Sequence, residues 1–348
     1  MKKLFLSFFV LINLNTNAFA EEAHFPEGLL LMDSYFNHHV IVAEKSTHKL
    51  YLYTQENGYP KRIKEIQMAT GKKAGNKIFQ GDHRTPEGVY HFNQFLTHQD
   101  LIKRHGKEGN IYGVGAFVMN YPNPIDQILG KTGGGIWLHS TNDETRIEKG
   151  LDSRGCVVTA NTNLIDLSQY IELNKTAIVV THEMKYLSRE AWLQKRKKLM
   201  NTVLTWVEAW RNEDIKDYLK AYHPELFVDP ARGSFKEFSQ YKRSVFWGPG
   251  KPKIELDYIS ILISNNYATV TFKQYYESKT IQDVGKKTLY LKQDGFYDWK
   301  IVSERWTKDG LEKPLEMNDD KMAFRPSNRF FETDDPSRIL NFNYRGKN

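Results

Sequence analysis

Short apolar and β-branched runs, separated by polar turns, fill the first half of the chain. This pattern predicts strands at 40–43, 49–53, 63–68, 89–92, 136–139, 156–158 and 176–181. Asn161 or Thr162 is placed to cap a helix that runs through about Leu173. Few helices and many short strands indicate a mostly-β domain.

The hydrophobic period changes after residue 185. Between Tyr186 and Tyr222 the apolar residues recur at helical spacing, and one face carries Leu199, Val203, Trp206 and Trp210. Four strand candidates follow, at 254–263, 267–276, 287–293 and 299–306. A long helix followed by a curved antiparallel sheet is an α+β cone. Beyond residue 308 the chain is polar and without period.

The N-terminus has the order of an export signal. A positive start at 1–3 precedes a mostly apolar run at 4–14 and a small-x-small cleavage site at 18–20. We therefore expect a periplasmic protein whose mature chain has no transmembrane segment. The expected division is a signal peptide at 1–20, the mostly-β domain at 36–182, a helical linker at 183–199, the cone at 200–308 and a C-terminal tail at 309–348.

Composition narrows the function classes. The chain is 40% hydrophobic and 26% charged, which excludes a collagen, a coiled coil and wholesale disorder. Its single cysteine excludes an internal disulfide and a Cys-rich metal site. The histidines lack a metal-ligand spacing, and the charges are mixed along the chain. We therefore expect no metal, no cofactor and no nucleic-acid partner.

One predicted strand ends at a histidine, and another begins at the single cysteine. His139 closes the strand at 136–139, and Cys156 opens the one at 156–158, directly after Gly155. A nucleophilic thiol needs a base and donors for an oxyanion, and a preceding glycine allows a tight turn that points the sulfur outward. Cys156 is thus a candidate nucleophile. The alternative is a buried structural cysteine.

The run from His139 to Val158 resembles the signature of the L,D-transpeptidase (YkuD-type) family, in which a histidine precedes Ser/Thr-His-Gly-Cys. Other family-like pieces stand in the family's order at 40–42 with 49–53, at 69–72, at 84–88 and at 135–139. The similarity covers roughly residues 36–182. Two positions depart from the pattern: Arg154 replaces the usual His, and Val158 stands where Asn or Arg is common.

The resemblance implies the catalytic roles. Cys156 is the expected nucleophile and His139 its base. The backbone carbonyl of Ser140 is expected to fix the tautomer of the imidazole. Backbone N–H groups near Gly155 and Cys156 are expected to form the oxyanion hole.

Substrate-binding residues are expected beside these groups. Arg154 is expected to bind a substrate carboxylate or to lower the thiol pKa, with an ion pair to Asp152 or Glu148 as the alternative. Three aromatic residues are candidates to line the cleft, with a place in the core as the alternative: Tyr112, Tyr121 and Trp137.

The second half resembles an NTF2-like domain in its element order and in its aromatics near Trp299 and Trp306. The pair of domains is similar to the peptidoglycan L,D-carboxypeptidases that set curved or helical cell shape. This implies removal of D-Ala from tetrapeptide stems through a thioester. An L,D-transpeptidase, a hydrolase releasing a wall-linked lipoprotein, and a non-catalytic wall-binding protein stay open as alternatives. We expect the cone, with aromatics such as Trp247, to bind the wall or a protein partner; the alternative is that these aromatics fill the core of the cone.

Overall fold

The computed structural model describes residues 23–246, 250–265 and 267–308. The expected signal peptide, Trp247 and the expected C-terminal tail lie outside these residues. In the part of the chain so described, no helix combines the length and the apolar character needed to cross a membrane.

The first unit is built on one eight-stranded sheet. The strands of residues 23–188 are β1 (His24–Pro26), β2 (Leu29–Leu31), β3 (His39–Glu44), β4 (Lys49–Glu56), β5 (Tyr59–Gln67), β6 (Thr70–Gly71), β7 (Gly88–Thr97), β8 (Gly115–Met119), β9 (Trp137–His139), β10 (Leu151–Ser153), β11 (Val157–Val158), β12 (Ala177–Thr181) and β13 (Tyr186–Ser188). Eight of them pair in the order β11-β9-β8-β7-β12-β3-β4-β5. The predicted mostly-β character is confirmed.

Short helices interrupt this unit. They are α1 (His98–His105), a 3₁₀ helix (Gly106–Tyr112), α2 (Pro124–Ile128), α3 (Thr145–Glu148) and α4 (Asn161–Ser168). The prediction for α4 was wrong at both ends. Ala160 is its N-cap and makes no side-chain hydrogen bond. The chain turns after Ser168 because Thr176 Oγ1 accepts a hydrogen bond from the Glu172 N–H and donates one to the Tyr170 carbonyl.

The second unit is the predicted α+β cone. Its elements are α5 (Arg189–Arg211), α6 (Ile215–Lys220), β14 (Val228–Asp229), β15 (Gly233–Ser234), α7 (Phe235–Val245), β16 (Lys253–Ser264), β17 (Tyr267–Glu277), β18 (Gln282–Gln293) and β19 (Trp299–Lys308). The helix predicted over 186–222 is divided. Residues 186–188 form β13, and Glu213, at a φ of +59°, separates α5 from α6. Helix α5 also runs through the boundary expected between 199 and 200.

The two units share a buried interface. The sheet of the cone has the order β19-β18-β17-β16-β2, so an N-terminal strand completes it. Val40 and Val42 on β3 pack in one apolar cluster with Leu262 and Tyr267 of the cone, while Ile41, between them, faces the core of the first unit. Strand β3 is therefore buried on both faces, which explains its continuous apolar run.

A tyrosine from the cone also bonds to the first unit. Tyr267, 3% exposed, accepts hydrogen bonds from the Val89 N–H at 2.5 Å and from Asn123 Nδ2 at 3.0 Å. A Cβ on Gly88 would lie 2.7 Å from the Tyr267 hydroxyl oxygen, so glycine is needed there for this close approach.

Candidate active site

A tight turn presents Cys156 at the start of β11. Ser153 Oγ accepts from the Gly155 N–H at 3.0 Å and donates to the Cys156 carbonyl at 2.6 Å. Gly155 has a φ of +127°, and a Cβ there would lie 2.8 Å from the Arg84 carbonyl oxygen. Only glycine fits this position without strain, which gives a structural reason for the Gly-Cys pair.

The sheet register brings Cys156 and His139 to one pocket. Strands β9 and β11 are parallel, with Val157 opposite Leu138 and Val158 opposite His139. Cys156, the residue directly before β11, therefore lies next to Trp137, and its side chain shares a face with those of Trp137 and His139. Both Cys156 and His139 line a cavity of about 540 Å³.

The imidazole of His139 is held in one tautomer. Its Nδ1 lies 2.5 Å from the Ser140 carbonyl oxygen, which only accepts, so Nδ1 carries the proton and Nε2 keeps its lone pair. The ring is 3% exposed, and burial lowers its pKa to about 4, although the hydrogen bond to Ser140 acts in the opposite direction. The imidazole is thus neutral near pH 7.

The thiol is neutral as well. Burial raises the pKa of Cys156 to about 11, against the opposing effects of the Trp137 backbone and the charges of Lys77 and Arg146. Its Sγ donates to the Gly135 carbonyl oxygen at 3.5 Å and also receives a hydrogen bond from the Trp137 backbone, and it makes no hydrogen bond to His139 among the described residues. The resting pair is therefore a neutral thiol beside a neutral imidazole.

The expected oxyanion donors differ in availability. The Gly155 N–H is already committed to Ser153 Oγ. The Cys156 N–H makes no hydrogen bond within the described ranges, so it is the donor of the expected pair that is free to bind an oxyanion.

Aromatic rings form one wall beside the histidine. Tyr112 lines the cavity, meets the His139 ring edge-on with centroids 5.0 Å apart, and contacts Trp137 in a tilted arrangement with centroids 4.9 Å apart. Trp137 itself is not among the residues that line the cavity. His105, the last residue of α1, contacts both Tyr112 and Trp137 and was missed from the sequence. Tyr121 does not line the cavity. It lies in the core and donates to the Thr132 carbonyl, in the loop that leads to Gly135.

A charged pair in the cavity was also missed. Arg146 Nε and one terminal nitrogen each lie 2.6 Å from Asp152 Oδ2, and the guanidinium also donates to Thr141 Oγ1 at 3.1 Å. Asp152 is therefore not the partner of Arg154. Arg154 is exposed at the cavity and makes no ion pair, to Asp152, to Glu148 or to any other described residue.

Metal ligands are not grouped in this region. Within residues 23–308, leaving aside 247–249 and 266, no three His, Cys, Asp or Glu side chains come together in a way that would hold a metal ion.

The fold and this cavity define a two-domain protein with a thiol–imidazole pocket in its first, strand-rich domain. Residues 38–180 match the model of the L,D-transpeptidase catalytic domain, and residues 198–305 match that of the Cds6 C-terminal NTF2-like domain. The chain belongs to the YkuD-type L,D-transpeptidase family, in the form that carries a C-terminal NTF2-like domain. The resemblance seen in the sequence is confirmed.

Solved structures of similar proteins support this assignment. Bd1075 of Bdellovibrio bacteriovorus is 31% identical, with a TM-score of 0.71 over 82% of this chain and 99% of that one. The helical cell shape determining protein Pgp2 of Campylobacter jejuni is 29% identical, with a TM-score of 0.64 over 79% of this chain and 94% of that one. A comparison with curated protein sequences gave no match. The function is accordingly of the cell-wall L,D-peptidase type, acting on peptidoglycan outside the cytoplasm.

Proposed function

We propose that the protein is a peptidoglycan L,D-carboxypeptidase, which removes the terminal D-Ala from tetrapeptide stems through a thioester on Cys156. The observation that carries this proposal is the cavity in which the thiol, a tautomerically fixed imidazole and the unpaired Arg154 meet. A terminal residue differs from an internal one by its free carboxylate, and a planar guanidinium is suited to bind that group.

The first half-reaction follows from these atoms. The D-Ala carboxylate binds Arg154, and Sγ leaves the Gly135 carbonyl for the scissile carbonyl carbon while Nε2 of His139 takes the thiol proton. The tetrahedral oxyanion accepts from the Cys156 N–H. Collapse breaks the C–N bond, and the D-Ala amine leaves with the proton from Nε2. The stem stays behind as a thioester.

Water resolves the thioester by the same groups. Nε2 of His139 takes a proton from water as its oxygen attacks the thioester carbonyl, and collapse releases a tripeptide stem while Sγ recovers the proton. Because both resting groups are neutral, each step needs proton transfer in concert with attack.

A second candidate function is transpeptidation, with an amine in place of water. Exposed Glu108, at the same cavity, would suit such a cationic acceptor.

The products distinguish the two reactions. Purified protein is incubated with disaccharide-tetrapeptide, and the products are separated by mass. Loss of one alanine supports carboxypeptidation, and a dimeric product supports transpeptidation. Cys156→Ala is the control, and an unchanged rate with this variant would refute the thioester. No product of either kind with the native chain would favour a wall-binding protein without catalysis.

We propose in addition that the cone binds the wall or a protein partner and supplies no catalytic group. The residues lining the cavity all come from 72–156. Of the cone's aromatics, Trp299 is core at 4% exposure, whereas Phe296 and Tyr297, between β18 and β19, are 88% and 72% exposed. Substituting Phe296 and Tyr297 by Ser should weaken sedimentation with whole sacculi and leave cleavage of soluble muropeptides unchanged. Full sedimentation would argue against this surface.

A further inference from the structure

Two cations flank the catalytic turn without an acidic partner. Arg154 directly precedes Gly155, and Lys72 is joined to the turn because its N–H donates to the Ser153 carbonyl at 2.8 Å. Both side chains are exposed and line the cavity of Cys156. Neither makes a side-chain hydrogen bond or ion pair within the described part of the chain.

The acids of the cavity do not neutralise these two charges. Asp152 is held by Arg146 at 2.6 Å. Asp143 Oδ1 accepts from the backbone and the hydroxyl of Thr145, at 3.1 and 2.7 Å, and these bonds lower its pKa. Glu108 belongs to the 3₁₀ helix at 106–112 and forms no ion pair with Lys72 or Arg154. The turn therefore offers two free positive charges to whatever enters the cavity.

One substrate carboxylate accounts for one of them. The departing D-Ala has a single carboxylate, which the proposed function assigns to Arg154. A second free cation at the same turn is suited to bind a second anionic group, on the part of the stem that stays as the thioester. Lys107 is a further exposed cation of the cavity, but it belongs to the 3₁₀ helix and not to the catalytic turn. That part begins with the third stem residue, whose carbonyl is attacked and whose side chain ends in a carboxylate, an amide or an amine, depending on the wall.

We infer that Lys72 recognises a free carboxylate on the side chain of the third stem residue, so that the enzyme selects diamino dicarboxylic stems over their amidated or lysine counterparts. This inference rests on the proposed function, because it names the substrate class of the same site. An ammonium group is a compact charge on a flexible stem, and it suits a carboxylate at the end of a long, mobile side chain.

The test compares three tetrapeptides whose third residue is a diamino dicarboxylic acid, its side-chain amide, or lysine. The native chain should prefer the free acid in kcat/KM by about 10-fold, the size of one charge-assisted hydrogen bond at an exposed site. Lys72→Gln should lower kcat/KM for the free acid by this factor and so remove the preference. Lys73→Gln is the matched control, because Lys73 is an exposed neighbour outside the cavity lining.

Binding separates this inference from the proposed reaction. The affinities of Cys156→Ala and of Cys156→Ala with Lys72→Gln for the free and amidated stems are measured by calorimetry. If the native chain cleaves no stem but binding keeps a preference that depends on Lys72, the reaction is wrong and the inference stands. Equal handling of free and amidated stems, or a preference that survives Lys72→Gln, overturns the inference.

Discussion

The neutral state of the Cys156–His139 pair predicts how the thiol responds to alkylation. The chain has one cysteine, so labelling reports on a single site. With the thiol pKa raised to about 11 and the imidazole pKa lowered to about 4, both groups stay uncharged across the neutral range. Alkylation by iodoacetamide should therefore rise by about tenfold per pH unit from about pH 6 to about pH 9, without a plateau.

The expected rate follows from two opposing effects. At pH 7.5 a free cysteine of pKa about 8.5 holds about 300 times more thiolate than a thiol of pKa about 11. The thiolate of higher pKa is more nucleophilic, by about 13-fold for a Brønsted coefficient of about 0.45. Together they predict alkylation of Cys156 about 20 times slower than that of free cysteine at pH 7.5. A time course of labelling, quenched at intervals and analysed by mass spectrometry, measures this ratio.

His139→Ala is the decisive variant in this assay. A neutral imidazole lends the thiol no charge, so the pH profile of alkylation should stay in place while turnover is lost with the base. The contrary result is a plateau below about pH 7 in the native chain that disappears in His139→Ala. It would mean a thiolate–imidazolium pair, and the reasoning from burial would be refuted.

Two further predictions concern the support of the site. Gly155→Ala places a Cβ 2.8 Å from the Arg84 carbonyl at a φ of +127°, so it should abolish turnover and cost about 1–3 kcal/mol in urea unfolding; native-like values for both would contradict the geometry. Tyr267→Phe leaves the buried Val89 N–H and Asn123 Nδ2 without their acceptor, and should destabilise by about 1–3 kcal/mol. Tyr297→Phe, at a 72% exposed position, is its control and should leave the unfolding midpoint unchanged; an equal loss in both variants would remove the special role of Tyr267.

Local patterns predicted what depends on local structure. The apolar runs predicted the strands of the first unit. The glycine before Cys156 predicted a tight turn, and Gly155 adopts the positive φ of such a turn. Arg146 could not be found in this way. It lies in a polar stretch among other charges, and only the fold of α3 against β10 brings it to Asp152 and the cavity. His105 was not identified for the same reason, since no feature of the α1 sequence indicates that its ring contacts Trp137.

Pairings between distant segments were equally hidden. Strand β2 has three residues and no readable period, and its partner β16 begins more than 200 residues later. Short strands of this kind form because the edge of a neighbouring sheet offers backbone hydrogen-bond partners, and the sequence of β2 does not indicate which sheet that is. The expected domain start at residue 36 therefore leaves out a strand that completes the sheet of the cone.

This pairing changes how the contribution of the cone has to be understood. The segment at 84–88 contacts the catalytic turn at one end, where the Arg84 carbonyl packs on Gly155, and the cone at the other, where Gly88 admits Tyr267. Cutting the chain near residue 185 would expose Val40 and the rest of the shared apolar cluster, and it would remove the hydroxyl that holds this segment. Loss of activity on truncation would then mean that the segment at 84–88 has lost its structural support. It would not show that the cone supplies a catalytic group. Point substitutions on the outer surface of the cone separate binding from support, because they leave the shared interface in place.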